Sequence, residues 1–235
     1  LHFASHPCIL HKIKNKVQGE SIMSAELHTL PNGIRVAIDP VPHVQTVAMD
    51  FRLMVGSRME NEKNNGISHF LEHAVFKGTK KRKTGQVAAD MAAVGARIGA
   101  ETGTEHTSYY CYGMAEDAGL FIDVLSDLVM NPTFPEDEIK RERDVILQEI
   151  NGYKKSLEKY FMHFYMDTIF PGAAVSLPTL GPENNVANMT SDALRRYYKS
   201  HYHGGNLIVS VSGNVNPGHV LEELEKTVGQ MKPGL

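Results

Sequence analysis

Two β-prone runs, "ELHTL" and "IRVAID", flank the turn Pro31-Asn32-Gly33. Asn-Gly between such runs is a strong hairpin signal, because glycine takes the positive φ that tight turns between strands need. The hairpin makes part of the sheet antiparallel, and everything downstream must be built onto it. A long strand follows over 44–55, ended by Gly56-Ser57. The polar loop Glu60–Gly66 leads into a helix. Thr84 reads as the N-cap of the next helix, which stops at Gly95. "ARIGAETG" and "HTSYYCYGM" read as two more strands, and a helix over 117–130 is closed by Asn131-Pro132.

Pro135 stands at a first-turn position with Glu136, Asp137 and Glu138 behind it. Carboxylates there favour the positive end of a helix. This helix is expected to run to Asn151-Gly152, followed by a second helical stretch to Phe170 and a long loop over 171–188. A helix over 191–202, a strand over 207–212 and a helix over 217–228 complete the chain. Strands and helices do not alternate regularly, and no internal repeat is present. The expected fold is α+β: a mixed, largely antiparallel sheet with helices packed on one face.

Hydrophobic residues make up 42% of the 235 residues and charged residues 22%, enough for a sizeable core. A net charge of −3 gives no reason to expect a nucleic-acid or anionic-membrane partner. The densest basic run, Lys80 to Lys83, reads as a solvated loop. Two cysteines, Cys8 and Cys111, exclude a disulfide framework and fit a reducing compartment; Cys111 reads as a core residue. No apolar run approaches a membrane span, and no secretory signal is evident, which points to bacterial cytoplasm or mitochondrial matrix. Residues 1–22 read as an extension of uncertain origin and 23–235 as the functional domain.

The stretch "ISHFLEHAVF" carries the chemistry. A helix turns about 100° per residue, so Phe70, Leu71, Ala74 and Val75 fall within roughly 80° of Ile67. His69, Glu72 and His73 fall together on the opposite side, at about 200°, 140° and 240°. Any surface helix shows a polar face opposite an apolar one. Two histidines at i and i+4 with a glutamate between them, however, can share one Zn²⁺ and present a base to its water. A catalytic zinc usually has a third protein ligand. Glu142 and Glu149, seven residues apart at the border of the Ile139–Ile146–Ile150 stripe, are the candidates. Ordinary rim positions in a charged helix account for their spacing equally well.

"HFLEHAVFKGT" followed by "RERDVILQEI" resembles the inverted-motif zinc peptidases: pitrilysin, insulin-degrading enzyme and mitochondrial processing peptidase. The similarity extends through "LPNGIRV", "GARIGAETGTEHTSYY" and "YHGGNLIVSVSGNV". The resemblance implies that His69, His73 and Glu149 bind zinc; Glu149 stands 76 residues beyond His73, at the family's separation. It implies further that Glu72 is the catalytic base, that Glu142 supports the site, and that the strand around Gly99, Ala100, Glu101 and Thr102 pairs with substrate. Family members usually carry Asn-Ala where this chain has Gly99-Ala100, so one side-chain anchor is missing. The family enzymes resemble a clamshell of two similar halves, and the resemblance covers the first. It therefore implies a zinc metalloendopeptidase acting on extended peptides or presequences with a second-half domain or subunit. The alternative is a non-catalytic partner subunit of the same family. His201 and His203 read as helix-end residues, Tyr109, Tyr110 and Tyr112 as sheet residues, and Met114 and Met130 as core.

Overall fold

The computed structural model describes residues 25–234, together with two short paired strands, β1 (Lys16–Val17) and β2 (Glu20–Ser21). The extension read at residues 1–22 otherwise lies outside the described residues. The hairpin is formed by β3 (Glu26–Thr29) and β4 (Arg35–Pro40). Only Gly33 of its turn takes a positive φ, 89°, after Pro31 and Asn32. The Asn32 amide donates to the Val228, Gly229 and Met231 carbonyls, which ties this early turn to the end of the chain.

Four further strands complete a six-stranded sheet: β5 (Thr46–Leu53), β6 (Arg97–Thr102), β7 (Thr107–Met114) and β8 (Leu207–Gly213). Their order is β3-β4-β8-β5-β7-β6, antiparallel except for the β4–β8 pair. Strand period sorts the faces. Val47, Met49, Phe51 and Leu53 of β5 are buried, with Tyr109 and Cys111 of β7 and Val209 and Val211 of β8. Burial pushes the Cys111 thiol up to about 12, as befits a core residue. The helices are α1 (Ile67–Val75), α2 (Gln86–Ala93), α3 (Ala118–Met130), α4 (Glu136–Lys155), α5 (Leu157–Ile169), α6 (Glu183–Ala187), α7 (Ser191–His201) and α8 (Pro217–Lys226). Phe70 and Leu71 of α1 and Phe121 and Leu125 of α3 enter the same core. The opposite sheet face presents Tyr110, Tyr112 and Met114, all exposed. Among the described residues no helix is long and apolar enough to cross a membrane.

Several local expectations change. Met114 is not core: it shares parity with Tyr110 and Tyr112 along β7 and so faces outward. Met130 is half-buried against the core. Thr84 does not cap α2; Gly85 does, in the left-handed region at φ 83°, without a side-chain cap. Pro135 is the N-cap of α4 rather than a first-turn residue. That helix continues through Gly152 to Lys155, where Lys154 and Lys155 complement its negative end. The expected loop contains α6, which repeats the start signal of α4 with Pro182 before Glu183 and buries Val186. The last helix stops at Lys226, and a 3₁₀ turn takes over at Val228–Gln230.

The basic run is not simply solvated either. Arg82 reaches Asp90 at 2.9 Å, Asp123 at 2.6 Å and Asp127 at 3.0 Å, pinning the α1–α2 connection to α3. The Asp127 side chain is fully buried. In Arg82→Met that carboxylate loses its counter-charge in a dry setting, which should cost about 3–5 kcal/mol. Urea unfolding measures it; a loss below about 1 kcal/mol would mean that the cluster is no stronger than a surface pair.

Candidate metal centre

The amphipathic pattern of α1 is right, but its polar face is not wet. Ile67, Phe70, Leu71, Ala74 and Val75 pack into the core, and α4 and β6 close over the other side. His69 and Glu72 are each only 9% exposed. The start of α1 is fixed by a buried carboxylate. Glu60 accepts hydrogen bonds from Asn65 Nδ2 at 2.7 Å and from the Gly66 and Ser68 amides at 2.8 Å each. Gly66, the N-cap, is left-handed at φ 96° and supplies no side-chain cap, so Glu60 satisfies amides that would otherwise be orphaned. A negative group also complements the positive helix end.

α4 lies against α1, held by buried Ile139, Ile146 and Ile150. Its two glutamates meet the histidines at different levels. Glu142 Oε1 is 2.7 Å from His73 Nδ1. An ionised carboxylate only accepts, so Nδ1 carries a proton, and in the neutral ring Nε2 is a bare lone pair. Lys77, one turn after His73, neutralises Glu142 through a 2.6 Å ion pair. Glu149 Oε2 lies 3.7 Å from His69 Nε2 and 3.6 Å from His73 Nε2. These distances are too long for ordinary hydrogen bonds. They are close to the ~3.4 Å edge of a tetrahedron with ligands ~2.1 Å from its centre. One donor atom each from His69, His73 and Glu149 lies within 4.8 Å of the other two, the only such group among the described residues. The rings stand edge-on, with centroids 4.6 Å apart. His69 Nδ1 is buried without a hydrogen-bond partner. A His₂-carboxylate set with both Nε2 atoms turned to one carboxylate suits a divalent zinc-like ion. The Glu149 side chain, 43% exposed, leaves one side of the group open to solvent.

Burial, joined by repulsion from His73, pushes His69 down to about 3, so this imidazole is neutral. Burial alone would also lower His73, but the hydrogen bond to Glu142 and the charges of Glu72, Glu149 and Glu142 raise it instead. Burial raises Glu72 above the usual carboxylate range, against the opposing pull of the Thr102 hydrogen bond and His73. For Glu142 burial acts upward, yet the His73 and Lys77 hydrogen bonds leave it lowered.

β6 forms an edge of the sheet, pairing only with β7. Gly99 and Glu101 face the outer side of the sheet, Ala100 and Thr102 the side of α1. The Thr102 hydroxyl donates to Glu72 Oε2 at 2.6 Å, a link to the glutamate that reading β6 as a backbone-pairing strand did not anticipate. Lys77 and Glu60 were likewise unassigned; Lys77 lies just past the end of α1, where helix spacing does not place its side chain. A Cβ on Gly99 would stand 2.7 Å from the ring of Tyr110, so that ring fills the space a side chain would need. His106 lies 3.8 Å from Glu101. His201 Nδ1 is 2.9 Å from the Tyr197 carbonyl at the end of α7, whereas the buried Nδ1 of His203 has no partner.

Residues 35–183 match the family described as Insulinase (Peptidase family M16), and residues 188–234 match the Peptidase M16 inactive domain. The chain is 34% identical over 205 residues to an uncharacterized zinc protease of Rickettsia felis, covering 87% of this chain and 50% of that protein. It is 34% identical over 202 residues to the mitochondrial-processing peptidase subunit beta of Rattus norvegicus, covering 86% of this chain and 41% of that one. A protease from Helicobacter pylori superposes with a TM-score of 0.86 at 26% identity, over 91% of this chain and 52% of that one. The chain thus spans about half the length of the curated relatives it matches.

Proposed function

The chain belongs to the insulinase family of peptidases, family M16, and from that premise we propose that it is the metal-bearing half of a zinc metalloendopeptidase acting on extended peptides or presequences. The observation that carries this reading is the convergence of His69, His73 and Glu149 beside the buried Glu72. In this reading the two Nε2 atoms and the Glu149 carboxylate hold Zn²⁺. When bound, zinc polarises the scissile carbonyl and makes water a better acid. Glu72 is the base: burial raises its affinity for a proton. Thr102 occupies its Oε2, which leaves Oε1 to take the proton of the attacking water and pass it to the leaving amine. Glu142 fixes the His73 tautomer. The free edge of β6, from Gly99 to Thr102, holds the peptide as an added strand. The names of the relatives, bacterial and mitochondrial, support a bacterial cytoplasm or mitochondrial matrix location.

The first test is metal binding. Co²⁺ titrated into the chain should bind one ion and give a tetrahedral spectrum; no binding at all would refute the reading. The pH dependence is sharper still. A ligand imidazole must be neutral. His69 is already neutral, while the raised His73 keeps its proton to higher pH. Below the His73 pKa, affinity should therefore fall about tenfold per pH unit, with one proton released per ion bound. A hundredfold fall per unit would show both rings competing for protons.

Glu142→Gln tests the supporting carboxylate. Its amide keeps a hydrogen-bonding group near His73 but cannot accept as a charge, and Lys77 loses its partner. Metal affinity should drop about 10–100-fold. Unchanged affinity would make Glu142 a packing residue.

A further inference from the structure

Tyr110 stands on β7, one strand in from the free edge, yet the end of its ring lies over β6. The two strands pair Gly99 with Tyr110 on the outer face of the sheet. An ideal Cβ at Gly99 would meet Cζ and Oη of Tyr110 at 2.7 Å each and Cε2 at 2.9 Å. These are the far atoms of the side chain, so it leans across the edge strand instead of standing up from its own. Any side chain at position 99 would hold it back. Neighbouring strands are about 4.8 Å apart, so a ring kept over β7 would be a full strand further from a peptide added at the edge. The residue is still 37% exposed. Its neighbours along the outer row of β6, Arg97 and Glu101, are exposed as well.

Side chains directly opposite each other on adjacent strands point to the same face and touch. A peptide residue laid opposite Gly99 therefore sends its side chain to the outer face, where β6 offers no side chain of its own. What it meets is the Tyr110 ring. We propose that Tyr110 is a specificity-determining residue, its ring forming over Gly99 a subsite for an aromatic or large apolar side chain of the peptide held along β6. The proposal rests on the peptidase reading above. An aromatic partner fits best, because ring edge against ring face is favoured beyond the area it buries. A small side chain would leave a gap between the peptide and the ring. Thr102, hydrogen-bonded to Glu72, marks the level of the chemistry. It lies three residues along β6 from Gly99, about 10 Å at the rise of a strand. The selected residue thus stands at a fixed place, about three residues from the bond that is cut. The alternative is that the ring only covers an edge glycine and steadies the strand.

A binding selection and a cleavage assay separate the two. The assembled enzyme carrying Glu72→Gln is offered a randomised library of synthetic peptides, and the retained fraction is sequenced. Phe, Tyr, Trp or Leu should be enriched at one position. Matched peptides with Phe or Ala at that position then compete in one tube, so their ratio does not depend on how much of a variant is folded. Phe should be preferred about tenfold. The preference should vanish when Tyr110→Ala is added and persist with Tyr110→Phe. It should vanish in Gly99→Asn too, which keeps the tyrosine but displaces its ring, at little cost because only the far end has to move. Preference that survives Tyr110→Ala or Gly99→Asn, or is lost in Tyr110→Phe, overturns the proposal. So does a parent protein that retains no peptide or retains Phe and Ala peptides equally. Wild-type cleavage of the library without selection at that place overturns the subsite and leaves the peptidase standing. Selective retention by a protein whose wild type cleaves nothing would sink the peptidase reading and leave the subsite.

Discussion

Replacing Glu72 with Gln should abolish peptide hydrolysis while leaving the metal in place. The substitution keeps size and shape, so the Thr102 hydroxyl retains an oxygen to donate to and α1 keeps its packing. What disappears is the only buried carboxylate on α1 able to accept a proton beside the two histidines. A positioned general base contributes about 10²–10⁴-fold, and the loss should fall in kcat rather than KM, since Glu72 is assigned no part in holding the peptide. Measured on the assembled enzyme, with Co²⁺ affinity of the chain as the control, the expected result is intact binding and a rate lower by at least about 100-fold. Hydrolysis at the native rate would mean that another group takes the proton. Loss of metal together with activity would mean that Glu72 is a ligand and that Glu149 has been given the wrong role.

The separation of those roles shows what the chain's sequence could and could not carry. The 3.6-residue period alone put His69, Glu72 and His73 on one side of α1, and that side is where the structure has them. Period cannot tell whether a polar face meets water or protein. Here α4 and β6 arrive from distant parts of the chain and bury it, and this burial is what drives His69 down and Glu72 up. Glu142 and Glu149 look alike in sequence, two turns apart on the border of one stripe. They differ only in height along α4: Glu142 faces Nδ1 of His73 beside Lys77, while Glu149 faces both Nε2 atoms. Resemblance to a family distinguished them where spacing had left both open. The sheet was readable because strand alternation is strong in β5 and β8. The errors came where a charge or a turn residue was read locally. Arg82 looked like part of a solvated run because its three carboxylates come from α2 and α3. α5 was recognised as a helix, but no local pattern says which way its apolar face turns.

His73→Ala should remove metal binding almost entirely, with consequences for stability that separate it from a simple cavity. His73 carries one bare Nε2 toward Glu149 and one protonated Nδ1 toward Glu142. On the proposed reading, deleting it removes a ligand and strips the remaining imidazole of its companion, so the loss should exceed the 10–100-fold expected for a supporting residue. Affinity more than about 100-fold below wild type is the expected result by Co²⁺ titration. The stability signature follows from linkage. Free ion at 1,000 times Kd stabilises a folded chain by about 4.1 kcal/mol, and a chain that has lost the site gains nothing from the same concentration. Thermal melts with and without Zn²⁺ should therefore separate widely for wild type and coincide for His73→Ala. Without metal the variant should still fold. Glu142 keeps its 2.6 Å pair with Lys77, and the apolar face of α1 is untouched. Zinc-dependent stabilisation that survives in His73→Ala would place the ion elsewhere. If the variant fails to fold even without metal, His73 is first a structural partner of Glu142 and its part as a ligand has to be tested through His69→Ala instead.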